Sequence, residues 1–160
     1  MNSNGTSSIN KRAIRWLLVI LGMGIIYLLS AQTAAESSGL SGNTIRALLP
    51  IFMPEFADLP HLQQNQIVAS LQSVVRDAAH VMTYMLLGIL CMSALLSHEL
   101  KMKTRIIIAL IICTGYAAID ELHQVFVNGR AFEFIDIGLD FCGVLIGAAL
   151  AAAISLIMKK

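Results

Sequence analysis

Charge is scarce in this sequence. Asp, Glu, Lys and Arg make up 13% of its 160 residues, where a soluble domain carries about 25%. A chain with so little polar surface cannot face water on every side. That excludes a soluble enzyme, a disordered chain and a nucleic-acid binder. There is no excess of one sign either: a net charge of +1 makes no basic field for a polyanion. The three cysteines, Cys91, Cys113 and Cys142, stand far apart in apolar runs with no CxxC pair. This argues against a disulfide framework or a zinc knuckle. HExxH, GxSxG and P-loop patterns are missing as well, so nothing calls for a metal or a cofactor. No internal repeat or low-complexity tract is present.

What the chain has is apolar length. Hydrophobic residues reach 57% and mean hydropathy is +0.75. A membrane-spanning helix needs roughly 20 mostly apolar residues, and four runs qualify, at about 13–31, 78–96, 106–127 and 134–158. They are continuous and rich in Leu, Ile, Ala and Met rather than alternating at period two, which argues against strands. The expectation is an all-α membrane protein with four transmembrane helices. Residues 1–12 read as a polar cytoplasmic tail and 13–160 as one membrane domain. The first run has a basic start and is followed by small residues, but it is longer than a signal core of about 7–15 residues. It is read as an uncleaved anchor.

Lys and Arg placement predicts orientation. Lys11, Arg12, Arg15, Lys101, Lys103, Arg105, Lys159 and Lys160 fall on one side, and Arg46, Arg76 and Arg130 on the other. Eight against three puts both termini in the cytoplasm, in what would be a bacterial inner membrane. The segment from Gln32 to Asp77 then faces outward and is too long for a bare loop. Two of its stretches read as helical: Gly42 to Phe52, ending against Pro50 and Pro54, and Gln63 to Arg76. The second has the apolar spacing of an amphipathic helix and leads directly into the second span.

The polar residues within the spans are not scattered. Each charge placed in a membrane costs about 2.5–3.5 kcal/mol on insertion scales, so such groups tend to face a cavity or one another. Asp77, His80 and Tyr84 share a face at the outer end of the second span. Tyr116, Asp120, His123 and Gln124 share one on the third, with Glu121 about 100° away. Asn128-Gly129-Arg130 suits the turn that ends the third span. Asp136 and Asp140 then open the fourth, and Gly143 and Gly147 continue their stripe as a GxxxG step suited to close helix contact. Of the ten acids, only Glu99 lies on the cytoplasmic side. Bare carboxylates gathered at one end would repel, so pairing with Arg76 or Arg130, protonation or a bound cation is expected.

The candidate ligand-binding residues are therefore Asp77, His80, Tyr84, Asp120, Glu121, Gln124, Arg130, Asp136 and Asp140. Glu121, His123 and His80 are the candidates for any proton transfer. Plainer readings stand beside these. His80, Tyr84 and an acid can form a network that locks helices together. Arg130 can close the outer turn onto Asp136 or Asp140, or clamp an anionic headgroup. The methionines and cysteines read as core filling or lipid-facing residues.

The chain resembles the VanZ-like family of small bacterial membrane proteins. Three blocks carry the resemblance: Tyr27 to Gln32 with Glu36, Ser37 and Ser38; Val75 to Gly88; and Tyr116 to Gly147, with Asp120-Glu121-Leu122-His123-Gln124 and Asn128-Gly129-Arg130 inside it. Asp77 stands where relatives commonly have a basic residue, and Asp140 where they often have Asn. The resemblance implies a cell-envelope protein connected with teicoplanin resistance. The partner it suggests is a membrane lipid, a lipid-linked envelope precursor or a lipoglycopeptide held in an outer polar cup. Two other functions remain open. One is an intramembrane enzyme acting on an envelope lipid or peptide. The other is a proton- or cation-coupled transporter, which with only four spans requires a homo-oligomer.

Overall fold

The computed structural model describes residues 3–158, and side chains from residue 10 onward. Lys159 and Lys160 of the orientation count lie outside it. The chain forms five α-helices and one short 3-10 turn, with no strand among the described residues. They are α1 (Ser3–Ser30), α2 (Ala34–Phe52), the 3-10 turn (Pro54–Asp58), α3 (His61–Leu95), α4 (Met102–Gln124) and α5 (Phe134–Ile157). Four of these helices are long and apolar enough to cross a membrane: α1 from Asn10, α3, α4 and α5.

The boundaries follow the sequence pattern in one place and depart from it in two. As expected, the amphipathic segment leads directly into the second span, and the two are one helix of 35 residues. No proline or glycine interrupts it before Gly88, so nothing breaks the backbone where the environment changes. At about 1.5 Å per residue α3 is roughly 52 Å long, well beyond a hydrocarbon core of about 30 Å. Helix α2 starts at Ala34 and not at Gly42. Thr33 and Glu36 form a capping box: the Thr33 hydroxyl accepts from the Glu36 amide, and the Glu36 carboxylate accepts from the Thr33 amide. This satisfies two otherwise orphan donors and fixes the start. The Thr33 hydroxyl also donates to the Glu36 carboxylate at 2.8 Å, and this bond together with that from the Thr33 amide holds the Glu36 carboxyl below the usual carboxylate range. Helix α4 stops at Gln124, and the next residues turn back through Gly129, whose φ of 77° lies in the left-handed region that glycine adopts without strain.

The tightest packing is between α3 and α5. A Cβ on Gly88 would lie 2.7 Å from the Val144 carbonyl oxygen, and one on Gly143 or Gly147 would collide with the carbonyls of Val81 or Met85. The GxxxG step is therefore a backbone-to-backbone crossing, as its spacing predicts. Around it lies a closed apolar core that includes Leu87, Cys91, Met92, Ala109, Cys113, Val144 and Ala148. Helix α1 lies on the outside of this core. Val19 and Ile26 are buried, while Leu18, Ile20, Leu21, Ile25 and Leu28 are exposed, as lipid contact allows.

Two ties hold the basic end. Trp16 Nε1 donates to His98 Nε2 at 3.1 Å, and Arg105 donates to the His98 carbonyl at 2.7 Å. At the opposite end α2 packs along the first turns of α3. A second small core of Ile45, Phe56 and Val68 forms under it, and Gln72 donates to the Ser38 carbonyl at 3.0 Å.

Candidate functional site

The close α3–α5 crossing positions a histidine between two acids. His80 Nδ1 lies 3.1 Å from Asp140 Oδ1, and its Nε2 lies 3.8 Å from Asp136 Oδ2. Asp136 and Asp140 face α3 together because they are four residues apart on one helix. They share the stripe of Gly143 and Gly147, which sets how near α5 comes. A neutral imidazole donates from one nitrogen only, so serving both carboxylates requires a second proton in the triad. Asp136 and Asp140 are 3% and 1% exposed, and Asp120 and Glu121 are 4% and 1% exposed. Four carboxyl groups thus sit at one end of the bundle, out of water.

The polar face of α4 divides three ways. Asp120 accepts from the Ser30 hydroxyl of α1 at 2.6 Å. Glu121 turns the other way and accepts the Glu133 amide of the α5 N-terminus at 2.6 Å. It thereby supplies the cap that α5 lacks from its own residues. Tyr116 and His123 face α1. The Tyr116 hydroxyl donates to the Met23 carbonyl at 2.6 Å, and the His123 ring lies 4.6 Å from that of Tyr27. The shared face expected for Tyr116, Asp120, His123 and Gln124 is thus split between α1 and the interior. His123 is not among the groups around His80.

Nor is Asp77. Its side chain is 42% exposed, and its partner is the adjacent Arg76, 4.0 Å away. A residue three positions from His80 lies about 60° around the helix, which is enough to leave the interior. The expected contact between Arg130 and Asp136 or Asp140 is also absent. Those acids are turned to His80, and Arg130 Nε donates instead to the Gln32 carbonyl at 3.4 Å. Arg76 is the arginine facing an acid of the α5 entry, with Glu133 at 3.7 Å. Among the described residues, the Arg130 terminal nitrogens have no partner.

Two cavities meet at this end. One, of about 550 Å³, runs between α1, α2 and α3 and is walled by Ile26, Leu29, Leu40, Leu48, Phe52 and Met82, among other apolar residues. Its polar lining includes Ser30, His80, Tyr84, Asp120 and Gln124. The other, of about 350 Å³, is polar and lined by Ser38, Gln72, Glu133 and Asp136, among others. Ser37, Ser41, Arg76, Gln124 and Arg130 line both. Three buried oxygens in these walls lack hydrogen-bond partners: the Tyr84 hydroxyl, Asp120 Oδ1 and Asp136 Oδ1. A buried polar atom without a partner costs about 1–3 kcal/mol, so each is a place where water or a ligand group would be stabilising.

The structure therefore brings His80, Tyr84, Asp120, Glu121, Gln124, Asp136 and Asp140 to one end, with Arg130 at its rim. Ser30, Ser37 and Ser41 are not among the candidate site residues of the sequence, although Ser30 and Ser37 lie in the first block of the family resemblance. Ser30 carried a readable signal, as a hydroxyl at the close of an apolar run. Periodicity gives no signal for the α2 serines, because the helical pattern read from the sequence begins only at Gly42, after them. A family profile described as VanZ/LLP1 matches residues 15–157. Comparison with curated proteins gave no match, and neither did comparison with solved structures.

Proposed function

The chain belongs to the VanZ/LLP1 family, and from that premise we propose that it binds an envelope amphiphile by its polar head in the cup between α1, α2, α3 and the α4–α5 turn. The observation that carries this reading is the shared wall. An apolar cavity and a polar one abut along Ser37, Ser41, Arg76, Gln124 and Arg130. A ligand with a chain at one end and a charged group at the other fits such a space. The volumes fall in the range of about 300–1,000 Å³ typical of ligand pockets.

Arg130 and Arg76 would take the anionic group, since a guanidinium forms paired hydrogen bonds to phosphate or carboxylate. Asp120, Gln124, Tyr84 and Asp136 would hydrogen-bond its remaining polar atoms. Membrane lipids, lipid-linked precursors and lipoglycopeptides such as teicoplanin all join an apolar chain to a charged polar body. Binding one of them is the route by which this chain would contribute to teicoplanin resistance. The uneven distribution of Lys and Arg supports placing the cup on the outer side of the membrane. A transport path finds little support, because the core toward the basic end is apolar.

The test is binding of a fluorescent lipid-linked precursor, and of labelled teicoplanin, to purified protein. Wild type should bind at least one of them, with Arg130→Ala at least tenfold weaker. Undiminished binding by that variant would remove the cup from consideration.

A further inference from the structure

The polar chamber is not simply cationic. Its walls hold Arg76, Arg130, Glu133 and Asp136, two charges of each sign. Arg76 and Glu133 face one another at 3.7 Å and largely offset each other. What remains is one cation and one carboxylate oxygen. Among the described residues the Arg130 side chain donates only to the Gln32 carbonyl, through Nε, which leaves its terminal nitrogens for a ligand. Asp136 is 3% exposed. Its Oδ2 is turned to His80 at 3.8 Å, while its Oδ1 has no partner. A purely anionic headgroup would meet Arg130 but leave that oxygen unserved. A headgroup carrying an anion and a protonated amine would meet both.

Building on the amphiphile reading above, we infer that the headgroup is zwitterionic, a phosphoethanolamine-type lipid whose phosphate meets Arg130 and whose ammonium meets Asp136 Oδ1. The apolar cavity beside the chamber takes the lipid's chain. An ammonium is the fitting donor because hydrogen bonds to ionised partners are the stronger kind, and because a buried carboxylate left without a counter-charge is costly. A trimethylated amine keeps the charge but has no N–H to give. A phosphoglycerol headgroup has hydroxyl donors but no positive charge.

The experiment uses the full chain, delipidated in detergent and titrated with three lipids of matched acyl chains: phosphatidylethanolamine, phosphatidylcholine and phosphatidylglycerol. Native mass spectrometry reads occupancy. The expected result is a preference of roughly tenfold or more for phosphatidylethanolamine, the size of one hydrogen bond to a charged group. Asp136→Asn should bring the three affinities within about twofold of each other, and Arg130→Ala should weaken all three. Wild type that holds phosphatidylcholine or phosphatidylglycerol as tightly as phosphatidylethanolamine overturns the zwitterion inference and leaves the cup standing. Undiminished binding of every lipid by Arg130→Ala overturns the amphiphile reading itself. Comparing headgroups on the unaltered protein decides the matter even if Asp136→Asn misfolds.

Discussion

Substituting Gly88 with alanine tests whether the α3–α5 crossing sets the geometry of the cup. The added methyl would lie 2.7 Å from the Val144 carbonyl oxygen. A carbon rarely comes closer than about 3.3 Å to such an oxygen, so the helices must part by roughly 0.6 Å. The obstacle is backbone, and no rotamer change relieves it. Overpacking of this kind costs about 1–3 kcal/mol, against a gain of up to about 1 kcal/mol from alanine's helix propensity. Gly88→Ala should therefore unfold about 1–2 kcal/mol more easily than wild type. Two turns further along α3, the same displacement stretches the 3.1 Å contact between His80 and Asp140 to roughly 3.7 Å, beyond hydrogen-bond range. Binding should weaken along with stability.

The control is Gly115→Ala on α4. A methyl there meets nothing within 4 Å, and stability should hold or rise by up to about 1 kcal/mol. The assay is reversible unfolding in mixed micelles, followed by lipid titration of the folded fraction. If Gly88→Ala proved as stable as Gly115→Ala, the argument from close crossing to cup geometry would fail.

Four further outcomes follow. Asp140→Ala leaves His80 without its hydrogen-bond acceptor and should cost about 2–4 kcal/mol in the same unfolding assay, while Asp140→Asn keeps an acceptor and should cost under about 1 kcal/mol. Arg130→Ala, whose side chain among the described residues bonds only to the Gln32 carbonyl, should change stability by no more than about 0.5 kcal/mol; a larger loss would mark it as a structural residue and not a ligand-binding one. The Glu36 carboxyl is held below its ordinary range by Thr33, so its stabilisation of the α2 start is present above the usual carboxylate pKa and lost as pH falls through the lowered one. Amide exchange at Ala35–Ser37 should therefore accelerate as pH drops through that range, after correction for the intrinsic rate, and Thr33→Ala should remove the effect. In a cysteine-free background, the orientation proposed from Lys and Arg placement predicts that Glu55→Cys reacts with an impermeant reagent added outside intact cells and Lys103→Cys does not; the reverse pattern would overturn that orientation.

Much of the fold was legible because the bilayer constrains it so strongly. Four apolar runs could hardly be anything but spans, and the Asp136, Asp140, Gly143, Gly147 stripe announced both a polar and a close-packed face. Partner choice was not legible. Whether Arg76 or Arg130 meets an acid at the α5 entry depends on helix rotation, which periodicity within one helix does not fix. Asp77 and His123 illustrate the same limit: each lies within 60° of a buried neighbour, near the edge between facing inward and facing away. Glu121 reads from sequence as a proton-transfer candidate, yet it sits on a backbone amide of the next helix, a role set by how α5 begins. The early start of α2 could have been read, since Thr33-Ala34-Ala35-Glu36 has the spacing of a capping box.

The two cup arginines belong to different bodies. Arg76 rides on the long α3 rod. Arg130 sits on the α4–α5 turn, which is held to the α1–α2 corner by the Ala34 amide donating to the Asn128 carbonyl at 3.2 Å and by Gly129 against the Ala34 methyl. The gap between the two guanidinium groups is thus governed by a small latch of loop residues lying outside the packed spans. Exchanges at that latch would widen or narrow the mouth while leaving the buried helix contacts as they are. Selectivity for the guest and durability of the bundle can then change independently of one another.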